Sequence, residues 1–162
     1  MANFTRQTTR RLGEILLEEK LVTVTQLQEA LKRQYTTGEL LGEALINLKI
    51  VTESDIARVI AKQFGYPYFN AAKYDIPGEA LTLIPVDVAI EYQIIPLDRI
   101  GDILLLAVAG VVPAEVLDGI ARRTRLTLFV CISTASQILE ALKKNGSRLL
   151  ESIKHNYETK TQ

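Results

Sequence analysis

Residues 12–17 read LGEILL and residues 41–46 read LGEALI, so one six-residue pattern occurs twice, 29 positions apart. The match extends beyond these segments, because residues 20–23 read KLVT and residues 49–52 read KIVT. It ends with Gln34 in the first copy and Gln63 in the second. Self-similarity at a fixed period indicates one supersecondary unit that is used twice.

Each copy is predicted to be a pair of short helices. In the first part of each copy, apolar residues recur at i, i+3 and i+4, which gives a helix one apolar stripe. Thr23 and Thr52 stand three residues before a side chain that can complete a capping box, so the second helices are expected to begin there. Gly38 and Gly65 are expected to end them. The first part of the chain is therefore a duplicated helical hairpin of four short helices.

The periodicity changes after residue 66, where apolar runs typical of β-strands alternate with helical patterns. The order of the elements predicts a small α/β subdomain. The predicted elements are a helix over 86–92, strands over 94–97 and 103–108, a helix over 113–123, a strand over 126–132 and a helix from Thr134 to Gly146. We therefore predict an α+β fold in which the duplicated hairpins, residues 1–65, pack on an α/β subdomain, residues 66–146. Residues 147–162 form a polar tail with helical spacing of its few apolar residues.

The composition excludes several function classes. Lys and Arg number 19, as do Asp and Glu, so the chain lacks the positive field that binding to a nucleic-acid polymer requires. No apolar run is long enough for membrane insertion. The one histidine, His155, has no nearby metal-ligand or catalytic cluster, and no Gly-Lys pair exists for a phosphate loop. We expect a protein that is not an enzyme, binds no metal and requires no cofactor. The single cysteine, Cys131, suits a cytoplasmic location.

Two features of the repeats suggest a ligand site. Gln34 and Gln63 each extend the apolar stripe of a second helix, and such an amide can bind the polar edge of a flat base. Arg11 can bind phosphate or stack on a guanine, and Gly13 allows a ligand to approach the backbone at the start of the first helix. The structural alternatives are that each glutamine merely ends its stripe and that Gly13 serves helix packing.

Together, these residues resemble the MshEN domain, the N-terminal domain of type II secretion and type IV pilus ATPases. The segment from Arg11 to Gln34, a five-residue spacer, and the segment from Leu40 to Gln63 match the family's tandem cyclic di-GMP motif in length and register. The resemblance covers about residues 10–145. It departs from the family pattern at four positions, Leu40 in place of arginine, Lys20 and Lys49 in place of glycine, and Gly110 in place of aspartate.

The resemblance implies that cyclic di-GMP binds across the two repeats, one half-site for each guanine. In the first half-site the implied residues are Arg11, Leu12, Gly13, Leu27, Leu31 and Gln34. In the second they are Leu41, Gly42, Ile56, Ile60 and Gln63. The implied partners are proteins of a secretion or pilus machine, or a signalling protein. The alternative hypothesis is a protein–protein docking module of such a system that binds no nucleotide.

Overall fold

A computed structural model describes residues 10–147 of the chain. These residues form two compact units, 10–66 and 67–147, which we call the helical unit and the α/β unit. The predicted tail lies, apart from Ser147, outside the described residues.

The helical unit contains four helices with the boundaries that the repeat predicts. They are α1 (Leu12–Glu18), α2 (Val24–Thr37), α3 (Leu41–Asn47) and α4 (Glu53–Phe64). The Thr23 and Thr52 hydroxyls accept hydrogen bonds from backbone N–H groups three residues later, which confirms the predicted N-caps of α2 and α4. Gly38 and Gly65 follow α2 and α4 in the left-handed conformation, with φ of 75° and 71°. A residue with a Cβ is strained in that region, so glycine ends both helices well.

Helices from different repeats pack on each other in this unit, α1 on α4 and α2 on α3. The core contains matching residues from both copies, because Ile15 and Leu16 are buried in the first and Ala44 and Leu45 in the second. Two copies of one sequence pattern thus supply equivalent halves of a single core. Because helices this short are marginal in water on their own, this shared burial stabilises all four.

The α/β unit contains a three-stranded sheet in the order β1-β2-β3. β1 and β2 form the predicted antiparallel hairpin, while β2 and β3 are parallel and are connected through a helix. Its elements are a 3-10 turn (Ala71–Lys73), α5 (Gly78–Leu81), α6 (Val86–Tyr92), β1 (Ile94–Ile100), β2 (Ile103–Val108), α7 (Ala114–Thr124), β3 (Thr127–Ile132) and α8 (Ala135–Lys144). The described residues therefore contain eight α-helices and one small sheet, which confirms the predicted α+β class.

Three details of the α/β unit differ from the sequence prediction. The 3-10 turn and α5 were not predicted, because each is a single turn too short to show a periodic pattern. β1 extends to Ile100, beyond the predicted end at Leu97, with a pairing irregularity between Pro96 and Asp98. α8 ends at Lys144 with Asn145 as its C-cap, not at Gly146. The Asn145 side chain donates a 2.8 Å hydrogen bond to the Ala141 carbonyl and so satisfies a group at the helix end.

None of the helices among residues 10–147 is long and apolar enough to cross a lipid bilayer.

Candidate functional site

The glycines of the two LGE segments are close-packing positions. A Cβ placed on Gly13 would lie 3.2 Å from Cδ1 of Leu27 and 3.6 Å from Cδ2 of Leu41. A Cβ placed on Gly42 would lie 3.1 Å from Cγ2 of Ile56, the residue that the repeat pairs with Leu27. Each glycine thus lets the helix that carries it approach an aliphatic residue of the following helix. The packing role that the sequence offers as the structural alternative for Gly13 is therefore present, and this packing also brings Leu41 of the second repeat beside the first.

The two glutamines occupy different environments. Gln63 is 4% exposed, and its Nε2 donates a 3.1 Å hydrogen bond to the backbone carbonyl of Arg10. This bond connects the end of the second repeat to the start of the first. Gln34 is half-buried, and its side chain has no hydrogen-bond partner within residues 10–147. One amide is therefore fixed by the fold, while the other can still turn and bond elsewhere.

The starts of α1 and α3 are already partly capped. Glu14 accepts a 2.8 Å hydrogen bond from the backbone N–H of Arg11, and Glu43 accepts a 2.9 Å bond from that of Leu40. The side chains of Arg11 and Leu40 are exposed, Leu40 to 68%. The backbone N–H groups of Arg11 and Leu40 are thus already hydrogen-bonded. The exposed Arg11 guanidinium places positive charge at the start of α1, whereas α3 has Leu40 at the equivalent position.

The remaining residues of the predicted site form a graded apolar surface. Leu31 is 46% exposed, whereas Ile56 is only 7% exposed. Half-buried side chains lie between these extremes, Leu12, Leu27, Leu41 and Ile60. A partly exposed aliphatic row of this kind can cover a purine face, because stacking on it removes apolar surface of both groups from water.

Polar pairs hold the cross-repeat packing. Lys62 of α4 pairs with Glu19 after α1, and Arg33 of α2 pairs with Glu39 before α3. Asn47 Nδ2 donates a 2.7 Å hydrogen bond to the same Glu39 carboxylate. The bond from Arg33 is the main reason why the pKa of Glu39 lies below its usual value. Glu39 thus ties the last turn of α2 to the spacer and to the end of α3.

Lys20 and Lys49 adopt the backbone conformation that the family's glycines suit. Both lie in the left-handed region, with φ of 56° and 58°, in the turns between the helices of each hairpin. Both side chains are exposed. The hairpin turn therefore forms without glycine, at a cost on the order of 1 kcal/mol at each position.

Sequence reasoning missed Tyr35 and the exchange of contacts between repeats. Tyr35 follows Gln34 in α2 and is 93% exposed. Its sequence signal is an aromatic residue four positions after Leu31, on the flank of the apolar stripe. The hydrogen bond from Gln63 to Arg10 has no sequence signal, because it joins residues 53 positions apart. No group of three or more metal-ligating side chains occurs in the described part of the chain.

A duplicated four-helix unit joined to a three-stranded α/β unit defines the class of domain. The chain belongs to the MshEN domain family, whose model matches residues 64–152, more than half of the sequence. That match begins at the end of α4, so nearly all of the repeat lies before it.

The curated relatives are much longer proteins. The chain is 28% identical over 134 residues to the type IV pilus assembly ATPase PilB of Myxococcus xanthus, covering 83% of this chain and 24% of the relative. It is 31% identical over 142 residues to PilB of Thermus thermophilus, covering 86% and 16%. It is 24% identical to bacteriophage adsorption protein B of Escherichia coli, covering 94% and 22%. The chain thus spans a quarter or less of the length of these relatives.

Solved structures share the fold. A structure of MshE with cdg (cyclic di-GMP) superposes with a TM-score of 0.72 at 25% identity, covering 83% of this chain and 98% of that one. The N-terminal domain of XpsE superposes with a TM-score of 0.63 at 23% identity, covering 82% and 92%. The XpsE likeness supports the fold alone, whereas the MshE structure also contains a ligand.

Proposed function

We propose that this chain is a non-catalytic regulatory module that binds cyclic di-GMP across its two helical repeats. The observation that carries the proposal is the contact between repeats at Gly13, Leu41, Arg10 and Gln63. A pseudo-symmetric ligand with two bases needs recognition groups from both copies on one surface. The MshE structure with cdg supports this choice of ligand.

Each group has a distinct part in this proposal. The aliphatic rows that include Leu27, Leu31 and Ile60 cover the purine faces. Arg11, exposed at the start of α1, binds a phosphate or stacks on a guanine. Gln34 and Gln63 bind polar base edges through their amides. Binding then alters how the helices pack, which a partner protein detects.

The relatives suggest where such a module acts. Two of them are assembly ATPases of type IV pili, so we propose a cytoplasmic role with the pilus or secretion machinery or with a signalling protein. No reaction is assigned to the module, because its described residues include neither a phosphate loop nor a cluster of metal ligands.

Calorimetric titration with cyclic di-GMP tests this proposal. We expect wild-type protein to bind with a dissociation constant in the micromolar range or below, and Arg11→Ala and Gln34→Ala to weaken binding at least tenfold. Gln28→Ala, an exposed glutamine on the same helix, and Arg122→Ala, an exposed arginine on α7, are matched controls that should bind like wild type. A folded wild-type sample that gives no heat at high ligand concentration would refute the proposal.

A second candidate function is protein–protein docking without a nucleotide. An apolar groove of about 290 Å³ between α6 and α8 supports it, with Ile90 64% exposed and Leu139 53% exposed at its edges. Leu40 favours this function as well, because it replaces an arginine expected for nucleotide binding. Under this function, Leu139→Glu would abolish binding to a purified pilus or secretion protein, whereas Arg11→Ala would not.

A further inference from the structure

The two ends of the helical unit are not chemically equivalent. We call the end with Arg11 and Gln63 the first end, and the end with Leu40, Gln34 and Tyr35 the second end. Arg33, which precedes Gln34, forms an ion pair with Glu39, which precedes Leu40. This ion pair holds the start of α3 near the end of α2 at the second end. The first end has a guanidinium and a fixed amide. At the second end the guanidinium of Arg33 is already paired with Glu39, and the Gln34 amide is not fixed.

The two amides can read bases differently. Gln63 has one N–H engaged by the Arg10 carbonyl, so its amide orientation is set before any ligand binds. A fixed amide presents one pattern of donor and acceptor. Gln34 has no partner among the described residues and can rotate by 180°, which exchanges its donor and acceptor positions. It can therefore match guanine or adenine.

A contact from arginine also distinguishes guanine from adenine. Arginine donates to both O6 and N7 of guanine, whereas adenine presents an amino group in place of O6 and opposes the same contact. Arg11 can make this selection at the first end. Leu40, 68% exposed, contacts either purine through apolar surface alone. With Leu40 in place of arginine, the second end therefore loses the means to distinguish guanine from adenine, but it keeps an apolar surface that either base can contact.

Tyr35 offers an aromatic ring on which either purine can stack. Gln34, Leu27, Leu31, Val24 and Tyr35 lie within about 100° of arc on α2, so the tyrosine borders the predicted ligand surface. Its counterpart in the second repeat, Phe64, is only 8% exposed, whereas Tyr35 is 93% exposed. Folding thus covers one aromatic ring and leaves the other available. Stacking on an aromatic ring is tolerant of base identity, because every base has a flat face.

Resting on the proposed function, we infer that the chain also accepts a mixed cyclic dinucleotide, with guanine at the first end and adenine at the second. Tyr35 and Gln34 would hold the adenine, and Arg11 and Gln63 would select the guanine. The ligand class is then cyclic dinucleotides that contain at least one guanine.

Parallel titrations with cyclic di-GMP, 3′,3′-cyclic GMP-AMP and cyclic di-AMP test the inference. We expect the first two to bind within threefold of each other and cyclic di-AMP to bind at least tenfold more weakly. Leu40→Arg should restore at least a tenfold preference for cyclic di-GMP over the mixed ligand. Tyr35→Ala should weaken both ligands by about tenfold, while Tyr35→Phe should retain binding because the ring remains.

A fluorescent variant gives an independent readout. The chain has no tryptophan, so Tyr35→Trp introduces a single fluorescent reporter. Its emission should change as ligand binds, and the ligand concentration at half of that change should agree with the value from calorimetry. If wild-type protein binds cyclic di-GMP but rejects the mixed ligand more than tenfold, the inference fails and the proposed function stands. If Tyr35→Ala binds both ligands like wild type, the role of Tyr35 is wrong. If no cyclic dinucleotide binds, the proposed function itself fails.

Discussion

The side chain of Gln63, at the end of the second repeat, donates a 3.1 Å hydrogen bond to the backbone carbonyl of Arg10, just before the first. Arg10 is followed by Arg11, which has the guanidinium that α3 lacks. The repeats thus close on each other, and residues grouped into separate half-sites by sequence order meet at one end of the unit. This exchange of contacts joins the two copies through a side-chain hydrogen bond and a close contact between Gly13 and Leu41.

This bond predicts unequal effects of removing the two glutamine amides. Gln63→Ala should lower the free energy of unfolding by about 1–2 kcal/mol, because it removes a buried hydrogen bond. Gln34→Ala should change it by less than about 0.5 kcal/mol, because its amide has no partner in the described part of the chain. Urea denaturation monitored by circular dichroism measures both values. Equal losses would contradict the assigned environments.

The left-handed lysines predict stabilising substitutions. Lys20→Gly and Lys49→Gly should each raise the free energy of unfolding by about 0.5–1 kcal/mol, because glycine adopts positive φ without strain. Lys32→Gly within α2 is the control, and it should lower that free energy by about 1 kcal/mol through loss of helix propensity. The same denaturation experiment applies. Destabilisation by Lys20→Gly would show that the lysine side chain contributes more than its backbone conformation costs.

The close-packing glycines predict a ranked series of alanine substitutions. Gly42→Ala should lower the free energy of unfolding by about 1 kcal/mol, because the new methyl meets a branch carbon of the buried, stiff Ile56. Gly13→Ala should be nearly neutral, because the half-buried end of Leu27 can rotate away. Gly119→Ala on α7 meets no atom within 4 Å and should stabilise by about 0.5–1 kcal/mol. Thermal or urea unfolding measures the order, and a Gly13 loss that exceeds the Gly42 loss would contradict it.

The buried thiol predicts slow chemical labelling. Burial among apolar groups raises the pKa of Cys131 from its ordinary value of 9.0 to about 11, so the native thiolate fraction at pH 8 is about a hundredfold smaller. Native protein should therefore react with a disulfide reagent at least 100-fold more slowly than protein unfolded in urea. The native rate should keep rising with pH toward about 11 instead of levelling near 9.

The same shift links Cys131 to stability. Since the folded pKa is raised, stability from the neutral buried thiol is fully present below pH 9 and declines as pH rises toward 11. Cys131→Ala should reduce that alkaline decline. A labelling rate equal in the native and unfolded states would mean that the thiol is accessible.

Local sequence determined the positions of nearly all helices and strands. Thr23 and Thr52 with their N-cap bonds, Gly38 and Gly65 in the left-handed region, and the hairpin turn at Gly101 are properties of a few neighbouring residues. Such signals act over three or four positions and can be read directly. α5 and the 3-10 turn were missed because a single turn produces no periodic pattern.

The sequence of the repeat also determined where its two copies agree and where they differ. The first copy has Arg11 where the second has Leu40, whereas both copies have a lysine at the turn between their helices. Comparing the copies shows this difference and this shared feature without coordinates.

Only the tertiary structure decided how the copies combine. The bond from Gln63 to Arg10, the contact of Gly13 with Leu41, and the exposure of Tyr35 beside a buried Phe64 depend on packing between residues far apart in the chain. A repeat specifies two similar surfaces, but not which helix of one copy meets which helix of the other. That choice comes from the joint burial of both apolar stripes, a property of the whole unit that no short segment contains.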